Sequence, residues 1–204
     1  MASHPGRAVI TSADVVVVGS GAFGASAAYH LARRGARVAV LERSGLASQT
    51  SPRAAGLSSQ VRATPALTRL AQRAVVKLAA FADETGQPLR FTQSGFQDPT
   101  IRVAEHRGGL PTLTMDDRYL VGPLPGVAGA WVMSGCCVGG LSVSPALGEA
   151  IGEWILDGAP ALDLSEIAPA RFAGHLPDEA ELRERCRRAY ATHYRAGGDG
   201  AAAR

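Results

Sequence analysis

The run Gly19-Ser20-Gly21-Ala22-Phe23-Gly24 stands directly after a β-branched stretch, Asp14-Val15-Val16-Val17-Val18, and at the opening of the apolar stretch Ala25 to Arg34. Glycines at this spacing suit one kind of chemistry. Gly19 makes a tight turn, Gly21 lets backbone amides approach a pyrophosphate at the positive end of a helix, and Gly24 lets helix and sheet close together. Glu42 follows 18 residues after Gly24, where a carboxylate accepts hydrogen bonds from both hydroxyls of an adenosine ribose and repels a 2′-phosphate. The set reads as a dinucleotide site that disfavours NADP. A glycine-rich turn beside a solvated glutamate is the plain alternative, and the strand-turn-helix context argues against it.

These residues need elements to hold them. Asp14 to Val18 reads as a parallel strand buried on both faces, Ala25 to Arg34 as a helix stopped at Gly35, and Arg37 to Leu41 as the second strand of a βαβ unit. A Ser/Thr/Gly-rich loop from Leu46 to Arg62 follows. Thr64 and Pro65 then supply an N-cap and a first-turn proline for one amphipathic helix with Leu67, Leu70, Ala71, Ala74, Val75, Leu78 and Phe81 on its apolar face, ending before Gly86. Short strand-like pieces are predicted at Leu89–Thr92, Ile101–Val103, Tyr119–Val121 and Ala130–Met133. Ser144-Pro145 begins a helix with Leu147, Ile151, Trp154 and Ile155 on one face, ending near Gly158. Asp178 and Glu181 form a capping box for a last helix to about Tyr194, and Gly197 to Arg204 reads as a disordered tail.

Composition bounds the rest. The 204 residues are 46% hydrophobic and 19% charged, which fits an ordinary globular chain of one or two domains. Residues 1 to 169 hold 14 Lys+Arg against 13 Asp+Glu, and the last 35 hold 7 against 5, so nothing resembles a nucleic-acid footprint. The arginines from Arg183 to Arg188 alternate with Glu181 and Glu184 on what reads as a solvated helix. No apolar run approaches the ~20 residues of a membrane helix, and the start lacks the order of a signal peptide. Three cysteines, two of them adjacent, do not make a disulfide framework. A cytoplasmic protein without membrane or nucleic-acid partners is expected.

Three ordered motifs carry a resemblance to a known family: Glu42-Arg43 with the loop Ala47-Ser48-Gln49-Thr50-Ser51-Pro52-Arg53-Ala54-Ala55-Gly56-Leu57; the segment from Pro111 to Pro123; and Gly135-Cys136-Cys137-Val138-Gly139-Gly140-Leu141 leading into Ser142 to Gly148. Together they resemble the FAD-dependent oxidoreductases of the D-amino-acid oxidase (DAO) type, particularly the sarcosine and dimethylglycine oxidase/dehydrogenase branch. The resemblance runs over nearly all of residues 13 to 172. It implies an α/β, Rossmann-like FAD-binding domain with a C-terminal strand-helix return and a terminal helix. It implies hydride transfer from the carbon beside an amine to flavin N5, with a small-molecule amine or amino acid as substrate. Flavin contacts map to Gly19, Gly21, Ala22, Phe23, Gly24, Glu42, Arg43, Thr50, Ser51, Arg53, Ala55, Gly56, Gly139, Gly140 and Leu141. The amides near Gly140 and Leu141, at a helix N-terminus, suit the negative charge of reduced flavin.

Two departures from the family pattern shape the expectations. Where relatives with covalent flavin of the dimethylglycine type carry a histidine before Ala-Ala-Gly-Leu, this chain has Arg53, so FAD is expected to be noncovalent. Between Gly95 and Thr100, where the family inserts a long substrate domain, only Phe96 to Pro99 stand. The domain is therefore read as incomplete: 13–95 and 100–172 form its two parts, 173–204 a terminal helix and tail, and the substrate domain is absent. Little turnover is expected, and exposed apolar surface favours a homo-oligomer. No catalytic residue and no metal ligand is assigned. His30 reads as a packing or surface residue, His106 as a lesser site candidate, and Cys136 with Cys137 as small packing residues. Two other classes stay open, a non-catalytic FAD- or ADP-binding remnant and an NAD-binding Rossmann protein.

Overall fold

The structure is a computed structural model, and it describes residues 11–54, 56–93, 111–174 and 177–193. The predictions at Ala55, Ile101–Val103, His106, Tyr194, the tail, and the junction between 95 and 100 lie outside these residues. The N-terminal unit is β1 (Val15–Val18), α1 (Ala22–Arg33) and β2 (Val38–Leu41). β1 and β2 pair in parallel, Val15 opposite Val38 and Val18 opposite Leu41, with α1 as the crossover. Gly19 N–H donates to the Leu41 carbonyl at 2.7 Å, which carries the ladder into the turn.

One expectation fails here. β1 is not covered on both faces: Val16 is 55% exposed and Val18 82%, while Val40 and Leu41 of β2 are also exposed. The continuous valine run identified a strand, but only its α1 side is packed, because the sheet holds just these two strands among the described residues.

Thr64 caps α2 (Pro65–Ala79), its hydroxyl accepting from the Leu67 amide at 3.2 Å. The helix does not run unbroken to Gly86. It breaks at Ala80, and α3 (Phe81–Thr85) ends at Gly86, whose φ of 68° closes the turn. Leu89–Thr92 forms no strand. β3 (Leu120–Pro123) and β4 (Trp131–Ser134) pair antiparallel as a separate ribbon.

α4 (Gly140–Asp157) is the central helix. It starts four residues before the predicted Ser144-Pro145 boundary. Pro145 cannot donate to the Leu141 carbonyl as a helical residue should, and the Ser144 hydroxyl donates to that carbonyl instead at 2.9 Å. Leu70 and Ala74 from α2, Ala27 from α1 and Val121 from β3 close around Val143, Leu147 and Ile151 of α4 to form the core, with Leu164 and Ile167 beneath. The α1–α4 seam is set by small residues: a Cβ at Gly148 would fall 2.0 Å from Ser26 Oγ and 2.6 Å from the Ser26 carbonyl carbon. Lys77, 8% exposed, fastens α2 to α4 by an ion pair with Glu149 at 3.0 Å, and Arg73 grips the same carboxylate through two hydrogen bonds of 2.7 Å.

α5 (Glu179–His193) is capped by Asp178, which accepts from the Glu181 amide at 2.8 Å. Its pairs Arg183–Glu179, Arg185–Glu181 and Arg188–Glu184 run along its own surface, as the alternating charge predicts.

Candidate functional site

The N-termini of α1 and α4 open on one cleft of about 900 Å³, toward the upper end of small-molecule sites. At the α1 end, Gly24 has no room for a side chain, because a Cβ there would lie 2.0 Å from the Gly19 carbonyl oxygen. That contact draws the helix onto the turn. The Ala22 amide, one of the free donors of the first helical turn, points at Ser51 Oγ, 2.9 Å away. Ser51 belongs to a short 3-10 turn, Ser51–Arg53, so the Ser/Thr loop folds back over the glycine turn.

The α4 end is assembled from more distant pieces. Cys137 and Val138 hold φ of 39° and 64°, a conformation that a β-branched residue adopts at a cost, and the Gly139 amide donates to the Cys137 carbonyl at 2.8 Å. This tight turn delivers Gly139 and Gly140 to the cleft. Side chains there are excluded by Tyr119, whose hydroxyl would sit 2.9 Å from a Gly139 Cβ, and by Cys136 and Phe23 around Gly140. Phe23 and Tyr119 meet edge to face, centroids 6.5 Å apart, and so tie the two helix starts together.

Of the residues predicted to contact a dinucleotide, Gly19, Gly21, Ala22, Phe23, Gly24, Thr50, Ser51, Arg53, Gly56, Gly139, Gly140 and Leu141 line this cleft. Ala55 lies outside the described residues. Glu42 and Arg43 stand outside the cleft wall. Glu42 is occupied by its own chain: Oε2 accepts from the Ser20 amide at 2.8 Å and the Ser20 hydroxyl at 2.7 Å, and Oε1 from the Ser44 amide at 2.8 Å. Those hydrogen bonds, Ser44 first and then Ser20, hold its carboxyl at about 2, so it is a carboxylate at any ordinary pH.

Sequence reasoning missed Arg62, Asp117, Arg118 and Tyr190, which also line the cleft. Arg62 reaches Ser142 Oγ at 3.3 Å across the mouth of α4. Burial raises the Tyr119 phenol, partly offset by the charge of Arg62 and a hydrogen bond from it. Arg53, Arg62 and Arg118 face Asp117 as the lone carboxylate among the described lining residues. With two helix N-termini, this makes the cleft attractive to anions. The sequence showed Arg62 only as the end of the Ser/Thr/Gly-rich loop; that it meets Ser142 depends on the fold.

His30 lies outside the cleft, buried against Tyr29 with ring centroids 5.1 Å apart. Desolvation, with Lys77 nearby, pushes its pKa down, which suits the packing role expected of it. Cys136 and Cys137 are free thiols. Cys137 is buried 3.6 Å from Thr114 Oγ1, and burial pushes its thiol up. No His/Cys/Asp/Glu group among the described residues is arranged to hold a metal, and no helix among them is long and apolar enough to cross a membrane.

Comparison with known proteins points the same way as the sequence motifs. Residues 14–98 match the DAO family, described as FAD dependent oxidoreductase. The chain is 29% identical over 87 residues to 4-methylaminobutanoate oxidase (formaldehyde-forming) of Paenarthrobacter nicotinovorans, covering 41% of this chain and 11% of that protein. It is 36% identical over 93 residues to mitochondrial dimethylglycine dehydrogenase of Rattus norvegicus and 34% to that of Homo sapiens, covering 45% of this chain and 10% of each. The chain thus spans about a tenth of the length of these relatives. The matched family, whose description is FAD-dependent, is the one that the resemblance named, and dimethylglycine dehydrogenase stands by name in the branch it singled out. The later segment from Gly135 to Gly148 lies beyond residues 14–98 that match the family.

Proposed function

We propose that this chain is the FAD-binding part of an oxidoreductase acting on the CH–N bond of a secondary or tertiary amine or an amino acid. The observation that carries the reading is the convergence of the α1 and α4 N-termini on one cationic cleft, with Gly24, Gly139 and Gly140 at positions where a Cβ would clash. Gly21, the Ala22 amide and Ser51 suit the pyrophosphate. Arg53 adds positive charge there. The amides at Gly140 and Leu141, with Arg62 and Tyr119 beside them, suit the electron-rich edge of the flavin. When bound, FAD supplies a two-electron acceptor for hydride. The protein residues bind it, orient it and exclude water.

Glu42 serves the ribose in this reading only by exchanging its Ser20 and Ser44 partners for hydroxyls, or else by holding the turn in shape. Attachment is noncovalent at Arg53, which offers no nucleophile. The close α1–α4 seam supports taking 13–95 and 100–172 as two parts of one incomplete Rossmann-like domain, with 173–204 as an appendage and no substrate domain between 95 and 100.

A second reading, a non-catalytic FAD- or ADP-binding remnant, is favoured by one observation. Asp117 is the one carboxylate among the described lining residues, and no His, Lys or Glu stands with it, so the cleft offers few of the groups that ordinarily take a proton from a substrate amine. Absorbance of the purified protein titrated with FAD tests the shared premise: a flavin spectrum that stays with the protein on a desalting column supports it, and its absence, with NAD retained instead, overturns it. Acid precipitation should then release all the yellow colour. Substrate-dependent reduction of a dye, with sarcosine, dimethylglycine or a D-amino acid, separates the enzyme from the remnant.

A further inference from the structure

We infer that α5 is a wall of the ligand site, with Tyr190 as an aromatic face for the flavin ring; the inference rests on the FAD reading of the cleft. α5 contributes nothing to the hydrophobic core. Its shape is maintained by its own capping residue and by glutamate–arginine pairs one turn apart, which suffice to support a helix in water only weakly. Such a helix gains its place from what it lies against. Two of its contacts with the body fall on one loop: Arg185 Nη1 stands 3.9 Å from Met115 Sδ, and the Asp116 carboxylate raises the Cys186 thiol after burial. That loop continues into Tyr119, whose hydroxyl borders Gly139 at the start of α4.

One turn further along α5, Tyr190 lines the cleft. It is 48% exposed, an aromatic ring on a helix rich in charge, and it borders the space a ligand would fill. A large apolar ring left half open beside a cationic cleft matches a planar heteroaromatic ligand. Stacking on such a ring is tolerant of its exact chemistry. Because α5 abuts the loop that ends at Tyr119, beside Gly139 at the start of α4, rather than the Gly19–Gly24 turn, the ring it meets is the flavin at the α4 end and not the adenine. A filled cleft then adds to the contacts that hold α5 down.

The test uses the full chain. Tryptic cleavage after Arg187 and Arg188 is followed by mass spectrometry with and without saturating FAD, alongside FAD titrations of the parent, Tyr190→Ala and Tyr190→Phe. FAD should slow cleavage at these sites about fivefold or more, since proteolysis reports the opened population. Tyr190→Ala should bind FAD about tenfold more weakly, lose the protection and brighten the fluorescence of bound flavin, whereas Tyr190→Phe should keep all three properties of the parent. Bound FAD with unchanged cleavage, or equal affinity and fluorescence in Tyr190→Ala, overturns the inference. A parent that binds no FAD at all overturns the FAD reading, and the inference with it.

Discussion

The two ends of the cleft are built in opposite ways. At the α1 end the decisive contacts stay within the βαβ unit and the loop that follows it: Gly24 presses on Gly19, Glu42 closes on Ser20 and Ser44, and Ser51 takes the Ala22 amide. At the α4 end the contacts span the chain, with Gly139 set against Tyr119, Gly140 against Phe23 and Gly148 against Ser26. A local motif carries its own geometry, so it is recognisable wherever it occurs. An assembled one exists only once the helices have packed, and its integrity is inseparable from global stability.

The largest test falls on the assembled end. Gly148→Val forces a side chain into the Ser26 backbone, 2.6 Å from a Cβ, and overpacking of this kind costs about 3 kcal/mol. Denaturant unfolding should show that loss, and FAD affinity should fall with it. A Gly148→Val protein as stable as the parent would mean that the seam is loose and the contrast between the ends false.

Glu149→Gln comes next. It strands Lys77, 8% exposed, between weaker partners, and should cost about 2 kcal/mol, below the full figure for a buried pair because the carboxylate is partly solvated. The pH profile sharpens this. Burial pushes Glu149 up, but hydrogen bonds from Arg73 and Lys77 outweigh it and hold it at about 2. A depressed carboxylate stabilises above its unfolded value, about 4.3, and that contribution disappears as pH falls through the folded one. Stability of the parent should therefore decline between about pH 5 and pH 2 more steeply than that of Glu149→Gln. Parallel acid limbs would count against it.

At the local end, Glu42→Ala should leave the core intact and weaken FAD binding about tenfold, by loss of a charged acceptor and of the Ser20–Ser44 tie. An unchanged titration would reduce Glu42 to surface. The smallest effect is expected at Val138→Gly. Relieving a φ of 64° outweighs the added freedom of the unfolded chain, and stability should rise by about 0.5 kcal/mol, measured as a small gain in thermal midpoint. A loss would show that the valine side chain is held by contacts that matter more than its backbone strain.

What the sequence made legible follows the same division. The Thr64-Pro65 helix start and the Asp178 cap could be read because each depends on neighbours within a few residues, and the βαβ unit because its strand-turn-helix pattern is continuous in sequence. Most of the glycine and Ser51 positions in the cleft followed from the motif. The exposure of Val16 and Val18 could not be read, since a valine run reports strand propensity and says nothing of how many strands lie beside it. The early start of α4 was hidden because Pro145 looks like a first-turn residue unless the Ser144 hydroxyl is known to serve the Leu141 carbonyl. Arg62 and Tyr190 enter the cleft through tertiary placement alone, and no spacing announces them.

The α1–α4 seam has an evolutionary consequence. It joins an early and a late stretch of polypeptide by direct backbone proximity, so their union does not depend on the length of chain between them. The entropy of closing a connection grows only with the logarithm of its length. Residues can then be gained or lost in that interval by recombination, up to whole domains, while the halves still find one another. Insertion and deletion there become a cheap route for such a scaffold to acquire or discard specificity.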